Sequence, residues 1–230
     1  KAICASRKRC RTHCEDNYHY RRTMEVRPLT SVGTAEGKGF ELAHVTTMIP
    51  VSDYAAGYRN VEKFLGLCQQ CSKFGKSWTC PPCEFDVKAF VDRFKYAHIL
   101  GSKMTFDEAT LAETTTLEAV DRVCKEAMRY GLTKASAYLR SYERKSPDSL
   151  CFLGSMCLLC GNKPCTRLNG EPCRHPNDVR VSLEAVGFDL SKTTQDLLGI
   201  EMKWGKHGRL PQYITLVTAL FTNDATLQLE

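Results

Sequence analysis

The 230-residue chain has 43% hydrophobic and 25% charged residues, a composition typical of a folded globular protein. Its net charge of +6 is concentrated in residues 1–28, where eight basic residues stand against three acidic ones. Nucleic-acid binding would therefore depend on one short arm and is not favoured. We see no long apolar run and no apolar leader, so we expect no membrane span and a cytoplasmic protein. Because the chain starts at Lys1, the sequence leaves open whether a leader peptide has been removed.

Residues 1–38 are predicted to form a basic, cysteine-containing extension that ends in a glycine-rich loop at 32–39. Residues 39–230 are predicted to form a single α/β metal-binding domain. Alternating and β-branched segments predict its strands, and apolar residues at helical spacing predict its helices.

The strands are predicted at 40–49, 96–101, 150–154 and 211–221. The helices are predicted at 52–66, 85–97, 107–130, 134–144 and 176–186, and from Ser191 to Gly199. Gly131 is predicted to end the helix at 107–130, Pro176 to lie near the start of the helix at 176–186, and Ser191 and Gly199 to be the cap and the stop of the last helix. Strands and helices are intermingled, so the fold class is α+β or α/β. We expect a mixed sheet with flanking helices and two cysteine-rich metal-cluster loops.

Thirteen cysteines are the unusual feature of the composition. An odd number in a chain of this length argues against a closed disulfide framework, which is typical of small secreted domains. Cysteine pairs with a two-residue spacer are more often metal ligands. The pattern therefore indicates thiolate–metal chemistry in a reducing compartment. Cys124, on an apolar helix face, and Cys151, on a predicted strand, are expected to be core residues.

The first cysteine block is CQQCSKFGKSWTCPPC, with Cys68, Cys71, Cys80 and Cys83 as predicted ligands. The spacing fits a short zinc ribbon. Two details favour an iron–sulfur cluster: Pro81 directly follows a ligand cysteine, as in bacterial ferredoxins, and Phe74 and Trp78 could shield a cluster from water. Zinc and iron–sulfur both remain open on spacing alone.

The second cysteine block supplies Cys157, Cys160, Cys165 and Cys173. Its gaps are uneven, which suits a loop around a cluster, because a cubane presents four separate iron atoms to its ligands. Both blocks end just before a predicted helix, whose positive N-terminus would stabilise a negatively charged cluster. Iron–sulfur is favoured over zinc here as well.

Several basic residues surround the second block, namely Lys163, Arg167, Arg174, His175 and Arg180. They could bind an anionic substrate or neutralise the charge of a cluster, and ordinary solvated loop charge is the alternative. Lys163, Arg174 and Arg180 are the candidate substrate-binding residues. No arrangement of residues typical of acid–base or nucleophilic catalysis is apparent.

The N-terminal extension holds a possible third metal site. Cys4, Cys10, His13 and Cys14 have a spacing that could bind zinc. A flexible arm that happens to contain cysteines is the alternative.

Two segments, CQQCSKFGKSWTCPP and CLLCGNKPCTRLNGEPCRHPNDVRVSLEAVGFDL, resemble a prokaryotic family catalogued as "predicted metal-binding protein", a domain of unknown function. The resemblance covers about 40–205. It rests on C-x2-C, FG-x2-W-x-CPP, C-x2-C-x4-C, PCR-x-P and R-x-S-x-EA-x-G. It implies metal or iron–sulfur binding in an intracellular, often anaerobic setting and implies no reaction. Many relatives lack a cysteine at the position of Cys83, so the resemblance leaves open whether Cys83 closes a cluster or leaves an iron free.

Three functions follow as hypotheses. The leading one is a cytoplasmic protein with two [4Fe–4S] clusters in electron transfer or in a reductase, with a redox protein or a small anionic molecule as its partner. The second is an enzyme whose open cluster iron acts as a Lewis acid on a small anion. The third is a zinc-dependent interaction module. The sequence does not indicate an oligomeric state.

Overall fold

A computed structural model of the chain describes residues 29–35, 38–154, 156–205 and 208–229, with side chains described from Gly39 onward. It contains five strands: β1 (Leu29–Ala35), β2 (Lys38–Pro50), β3 (Tyr96–Phe106), β4 (Ser149–Phe152) and β5 (Tyr213–Thr222). The α-helices are α1 (Val51–Tyr58), α2 (Val61–Gln69), α3 (Val87–Asp92), α4 (Glu108–Glu113), α5 (Leu117–Glu143) and α6 (Leu190–Leu198). Two short 3₁₀ helices cover Thr166–Asn169 and Glu184–Val186.

The five strands form one sheet in the order β1-β2-β3-β5-β4. Every strand pairing in the described part of the chain is antiparallel. The predicted combination of strands and helices is confirmed, and α+β is the class. The sheet is not mixed in strand direction, because β3 and β5 run antiparallel to each other rather than being joined by a parallel crossover.

The glycine-rich segment at 32–39 was predicted to be a loop, and that prediction is wrong. Residues 29–35 form β1 and pair with β2, from Leu29 opposite His44 to Ala35 opposite Lys38. The sheet therefore begins inside the predicted N-terminal extension. Gly39 allows the Asp107 side chain to lie close to the main chain of β2, because a Cβ built at this position would lie 1.5 Å from the carboxylate of Asp107.

Helix α5 covers one face of the sheet with a stripe of buried side chains. The stripe consists of Val123, Ala127, Leu132, Ala135 and Leu139. Sequence patterns split this helix into two pieces and placed a stop at Gly131, which is wrong. A Cβ at Gly131 would lie 2.5 Å from the sulfur of Met104 on β3, so the glycine lets the helix approach the sheet.

Cys151 is fully buried in the core between α5 and the sheet, and half-buried Cys124 packs against the same core. The predicted core role of both cysteines is confirmed. Although α5 is long, no helix in the described residues is long and apolar enough to cross a bilayer.

The opposite face of the sheet is covered by α1, α3 and α6 around an aromatic core. Tyr54 of α1 stacks on Phe188 with the ring centroids 4.2 Å apart, and both rings contact Phe221 of β5 edge-on. This second core lies beside the segments that carry the two cysteine blocks. It therefore gives those loops a rigid base.

The helix predicted over 176–186 is absent, and this changes the surroundings of the second block. The main chain there makes bonds to other segments instead of helical ones: Val181 accepts from the amide of Leu153, and the amide of Ser182 donates to Thr79. Pro176 lies in a turn rather than at a helix start.

Two other predicted helices begin or end at different residues. The helix predicted at 85–97 is only α3, because the amide of Lys95 already pairs with Thr222 of the sheet. The N-cap of α6 is Asp189 rather than Ser191, whereas Gly199 ends that helix as predicted, at φ 65°.

Candidate metal centre

The first cysteine block connects α2 to α3. Cys68 lies in the last turn of α2, and the remaining three cysteines lie in the loop that follows. Tight turns organise this loop: the amide of Cys71 donates to Cys68, and the amide of Cys80 donates to Ser77. The CxxC spacing thus produces a turn that returns the second thiol toward the first.

The thiols of the first block lie close enough to affect one another. Burial raises the pKa of Cys68, and negative charge on Glu184 and on the other three cysteines of the block raises it further. Burial also raises the pKa of Cys80 and of Cys83, and in Cys83 the positive charge of Arg167 opposes this effect. Half-buried thiols that repel each other as thiolates are stabilised by a bound cation.

The second cysteine block lies between β4 and the 3₁₀ helix Glu184–Val186. Burial raises the pKa of Cys157, the amide of Leu159 opposes this, and the other three cysteines of the block raise it again. The amide of His175 donates to the sulfur of Cys173 over 3.4 Å. All four thiols are half-buried, which places them in a loop that faces the rest of the molecule.

The described thiols are not arranged around a single ion. Among the residues that the structure describes, no three His, Cys, Asp or Glu side chains converge on one ion position. A cubane cluster binds its four thiolates at four different iron atoms, so its ligands stand farther apart than those of one zinc ion. A metal-binding role for each block therefore rests on its donor type and spacing, and not on a preformed arrangement of ligands in the described residues. None of the ten described cysteines forms a disulfide.

Arg167 joins the two blocks. It belongs to the second block, yet its guanidinium donates to the carbonyl oxygens of Ser77 (2.9 Å) and Cys80 (2.6 Å), and to that of Pro82. The same guanidinium lies over the indole ring of Trp78, 4.8 Å from the ring centroid. In the sequence, Arg167 is only one of several positive charges near the second block.

Arg180, a candidate substrate-binding residue, forms a salt bridge with Glu143. Its Nε and Nη2 donate to the two carboxylate oxygens of Glu143, at 2.7 Å and 3.0 Å, and its Nη1 donates to the carbonyls of Asn177 and Val179. The side chains of Arg180 and Glu143 are only 14% and 8% exposed. Arg180 thus holds the irregular segment after the second block against α5.

The other two candidate substrate residues lie at the surface of the second block. Arg174 donates to the carbonyl of Pro164 at 2.8 Å, and its Nη1 lies 3.8 Å from the sulfur of Cys160. This contact places a positive charge directly on a predicted ligand. Lys163 is exposed, and its main-chain amide donates to Cys160.

A cavity of about 470 Å³ lies between the two blocks. Its lining includes Cys80 and Cys83 from the first block and Cys173 from the second. Arg93, Arg167 and Arg180 also line it, together with Phe85, with Phe90 of α3 and with apolar residues of the segment 172–181. The two blocks therefore face a common space.

Glu184 is a residue of this region that sequence reasoning missed. Its carboxyl group is buried, burial raises its pKa, and its Oε2 has no hydrogen-bond partner among the described residues. It raises the pKa of Cys68 and Cys80, so it lies near the first block. The EA-x-G motif contained this residue, but only the fold brings it beside cysteines about 100 positions away.

Some predictions about the site are changed or lie outside the described residues. The expected helix after the second block is absent, and α3 has only six residues, so neither block lies at the start of a substantial helix. The possible third site, made of Cys4, Cys10, His13 and Cys14, lies outside the described residues.

Comparison with known proteins gives one match. A family model described as "Predicted metal-binding protein (DUF2284)" matches residues 55–221, a segment that contains both cysteine blocks and Arg167. No curated protein and no solved structure matches the chain.

Proposed function

The chain belongs to this family of predicted metal-binding proteins, and we propose that it binds two [4Fe–4S] clusters, one in each cysteine block, and transfers electrons. Cys68, Cys71, Cys80 and Cys83 would hold the first cluster, and Cys157, Cys160, Cys165 and Cys173 the second. When bound, such clusters supply one-electron redox chemistry. The protein would work in the reducing cytoplasm, either as an electron carrier or within a reductase.

The observation that carries the proposal is that two thiols of the first block and one of the second line the same cavity. Cys80, Cys83 and Cys173 line the same cavity, and Arg167 ties one loop to the other. Two redox centres that face each other can pass an electron without a large rearrangement.

The protein surroundings also suit negatively charged clusters. Arg174 lies beside the sulfur of Cys160, and Arg167 lies beside the first block, where it opposes the raised pKa of Cys83. Positive charges and N–H donors near cluster sulfurs stabilise the reduced state. Trp78 and Phe74 are half-buried in the first loop and would limit the access of water.

A second candidate function is supported by the thiol of Cys83. Its sulfur lies 3.6 Å from the carbonyl oxygen of Ala185 and donates to it. If Cys83 keeps this hydrogen bond, the first cluster has three cysteine ligands and one iron open to a small anion. The protein would then be an enzyme in which that iron acts as a Lewis acid.

The direct test is metal and sulfide analysis of protein purified without oxygen, together with its visible absorption spectrum. We expect roughly eight iron and eight sulfide per chain and a broad charge-transfer band that bleaches on reduction. A colourless protein with stoichiometric zinc would overturn the proposal and support a zinc-dependent interaction module instead. Dialysis of that zinc protein against a chelator would then unfold the two loops.

A further inference from the structure

We propose that the cavity between the two cysteine blocks binds a small carboxylate with an apolar ring or chain, and that Arg93 pairs with the carboxylate. This inference rests on the proposed function only in that the ligand would lie next to the two clusters. The cavity itself is built by protein side chains, and its residues define the chemistry of what it accepts.

The size and walls of the cavity favour a compact apolar body. Its volume of about 470 Å³ is within the range of small-molecule sites in proteins. Most of the wall is apolar, and Phe85 and Phe90 of this wall lie with ring centroids 4.4 Å apart. Phe85 is 39% exposed, so a large aromatic surface is left facing the opening rather than the core. A ligand that covers this ring would remove apolar surface from water.

The charges of the lining favour an anion. Three arginines line the cavity, against a single carboxylate, Glu84, and three thiols that are predicted cluster ligands, Cys80, Cys83 and Cys173. Arg180 is neutralised by Glu143, which lies outside the lining, and Arg167 uses three of its N–H groups on main-chain carbonyls. Both are committed to holding the fold.

Arg93 is the arginine with free donors. Its guanidinium carbon lies over the rings of Phe90 and Phe94, 4.4 Å and 4.7 Å from their centroids. Within the described residues its guanidinium has no ion pair and no hydrogen bond. The two rings support the guanidinium and leave its N–H groups free for a carboxylate, which arginine binds through two parallel bonds.

One free guanidinium suits a single carboxylate, whereas a phosphate or a dicarboxylate would need further cations. Trp78 contributes to the wall of the cavity, but its indole N–H is buried under protein atoms and is not available to a ligand there.

Benzoate is a suitable probe, and benzamide is a control of the same shape without the charge. Binding of each would be measured by isothermal titration calorimetry under anaerobic conditions, on the protein loaded with its metals. We expect benzoate to bind and benzamide to bind at least about tenfold more weakly. Equal binding of the two, or no binding of benzoate, would overturn the inference.

Variants locate the site. Arg93→Gln should weaken benzoate binding at least about tenfold, and Phe85→Ala should weaken it without affecting the fold, since both side chains are exposed. Arg122→Gln, which removes an exposed arginine on α5, is the matched control and should bind as the wild type does. If Arg93→Gln binds benzoate as tightly as Arg122→Gln does, the site is not at Arg93 and the inference fails.

The metal content of the same samples separates this inference from the proposed function. If the protein contains zinc and binds benzoate, the cavity site is supported and the electron-transfer proposal fails. Iron–sulfur clusters without benzoate binding would do the reverse: the electron-transfer proposal would stand and the cavity site would fail.

Discussion

The guanidinium of Arg167 donates to the carbonyl oxygen of Cys80 at 2.6 Å, so a residue of the second cysteine block fixes a cysteine of the first. The contact also places a positive charge near the predicted ligands of the first block. Because the arginine lies over Trp78 as well, the first loop is held from both its main chain and its aromatic side chain. The loops of the two candidate centres are therefore held together by direct contacts of Arg167.

Replacing Arg167 should damage the first centre more than the second. Arg167→Lys keeps the charge but loses the planar fork that reaches three carbonyls, and Arg167→Gln loses both. We expect both variants to lose metal from the first block, with iron per chain falling toward roughly half of the wild-type value. Iron analysis after a mild chelator challenge measures this. Full iron retention in both variants would show that the bridge has no role in holding the centre.

Breaking the Glu143–Arg180 pair should destabilise the whole fold. Burial alone would raise the pKa of Glu143, but bonds from Arg180 and from the amide of Cys151 more than offset this and lower it. In Glu143→Gln the guanidinium stays buried without its counter-charge. The free energy of unfolding should fall by about 3 kcal/mol. Urea unfolding at neutral pH measures the change.

A surface ion pair provides the control for this variant. Asp121 pairs with Lys125 on α5, and both side chains are more than half exposed. Asp121→Asn should change the free energy of unfolding by less than about 1 kcal/mol. If Glu143→Gln is as mild as Asp121→Asn, Arg180 is not a structural residue and its assignment as a substrate-binding residue returns.

His98 should make the protein less stable in acid. It is 3% exposed on β3, and burial lowers its pKa from 6.5 to about 4, against a small opposing effect of Asp224. The unfolded chain therefore binds a proton between pH 6.5 and pH 4 that the folded chain excludes. The free energy of unfolding is therefore fully retained above the pKa of 6.5 in the unfolded chain, and it falls as the pH is lowered toward the pKa of about 4 in the folded chain.

The variant His98→Leu isolates this effect from loss of metal in acid, which both proteins share. Between pH 7 and pH 4.5 the wild type should lose about 2.5 kcal/mol more of its free energy of unfolding than His98→Leu does. Urea titrations at the two pH values measure the difference. Parallel losses in the two proteins would contradict the lowered pKa.

Local patterns correctly predicted those elements in which the periodic apolar side chains are the ones that pack into the core. The strands predicted at 40–49 and 96–101 lie within β2 and β3, and those predicted at 150–154 and 211–221 overlap β4 and β5. Failures occurred where a tertiary contact outweighed the local signal. Gly131 has the appearance of a helix stop but is required for contact with Met104, and 176–186 has helical periodicity but bonds to other segments.

The same limit applies to the site. The cysteine spacings indicated two thiol sets from the sequence alone, because ligands of one centre lie within one loop. Partners that are distant in sequence were not predictable: Arg167 reaches carbonyls about 90 positions earlier, and Arg93, directly after α3, lines the cavity. The pairing of Arg180 with Glu143 was not predictable either, because the two residues are separated by 37 positions.

Cys83 is the residue on which the choice between an electron carrier and an open-iron enzyme depends. It is half-buried with its sulfur beside Ala185, and its negative charge contributes to the raised pKa of Cys68. Because it lies among the other thiols of the block, we expect it to be the fourth ligand. Cys83→Ala should then lose the first cluster, to the same extent as Cys80→Ala.

Iron, sulfide and electron paramagnetic resonance measurements on the reduced proteins distinguish the outcomes. Cys124→Ala, which removes a cysteine on α5 that belongs to neither block, is the control and should keep full iron. If Cys83→Ala also keeps full iron while Cys80→Ala does not, Cys83 is not a ligand. The first cluster would then have an open iron, and the Lewis-acid function would replace electron transfer as the explanation of this site.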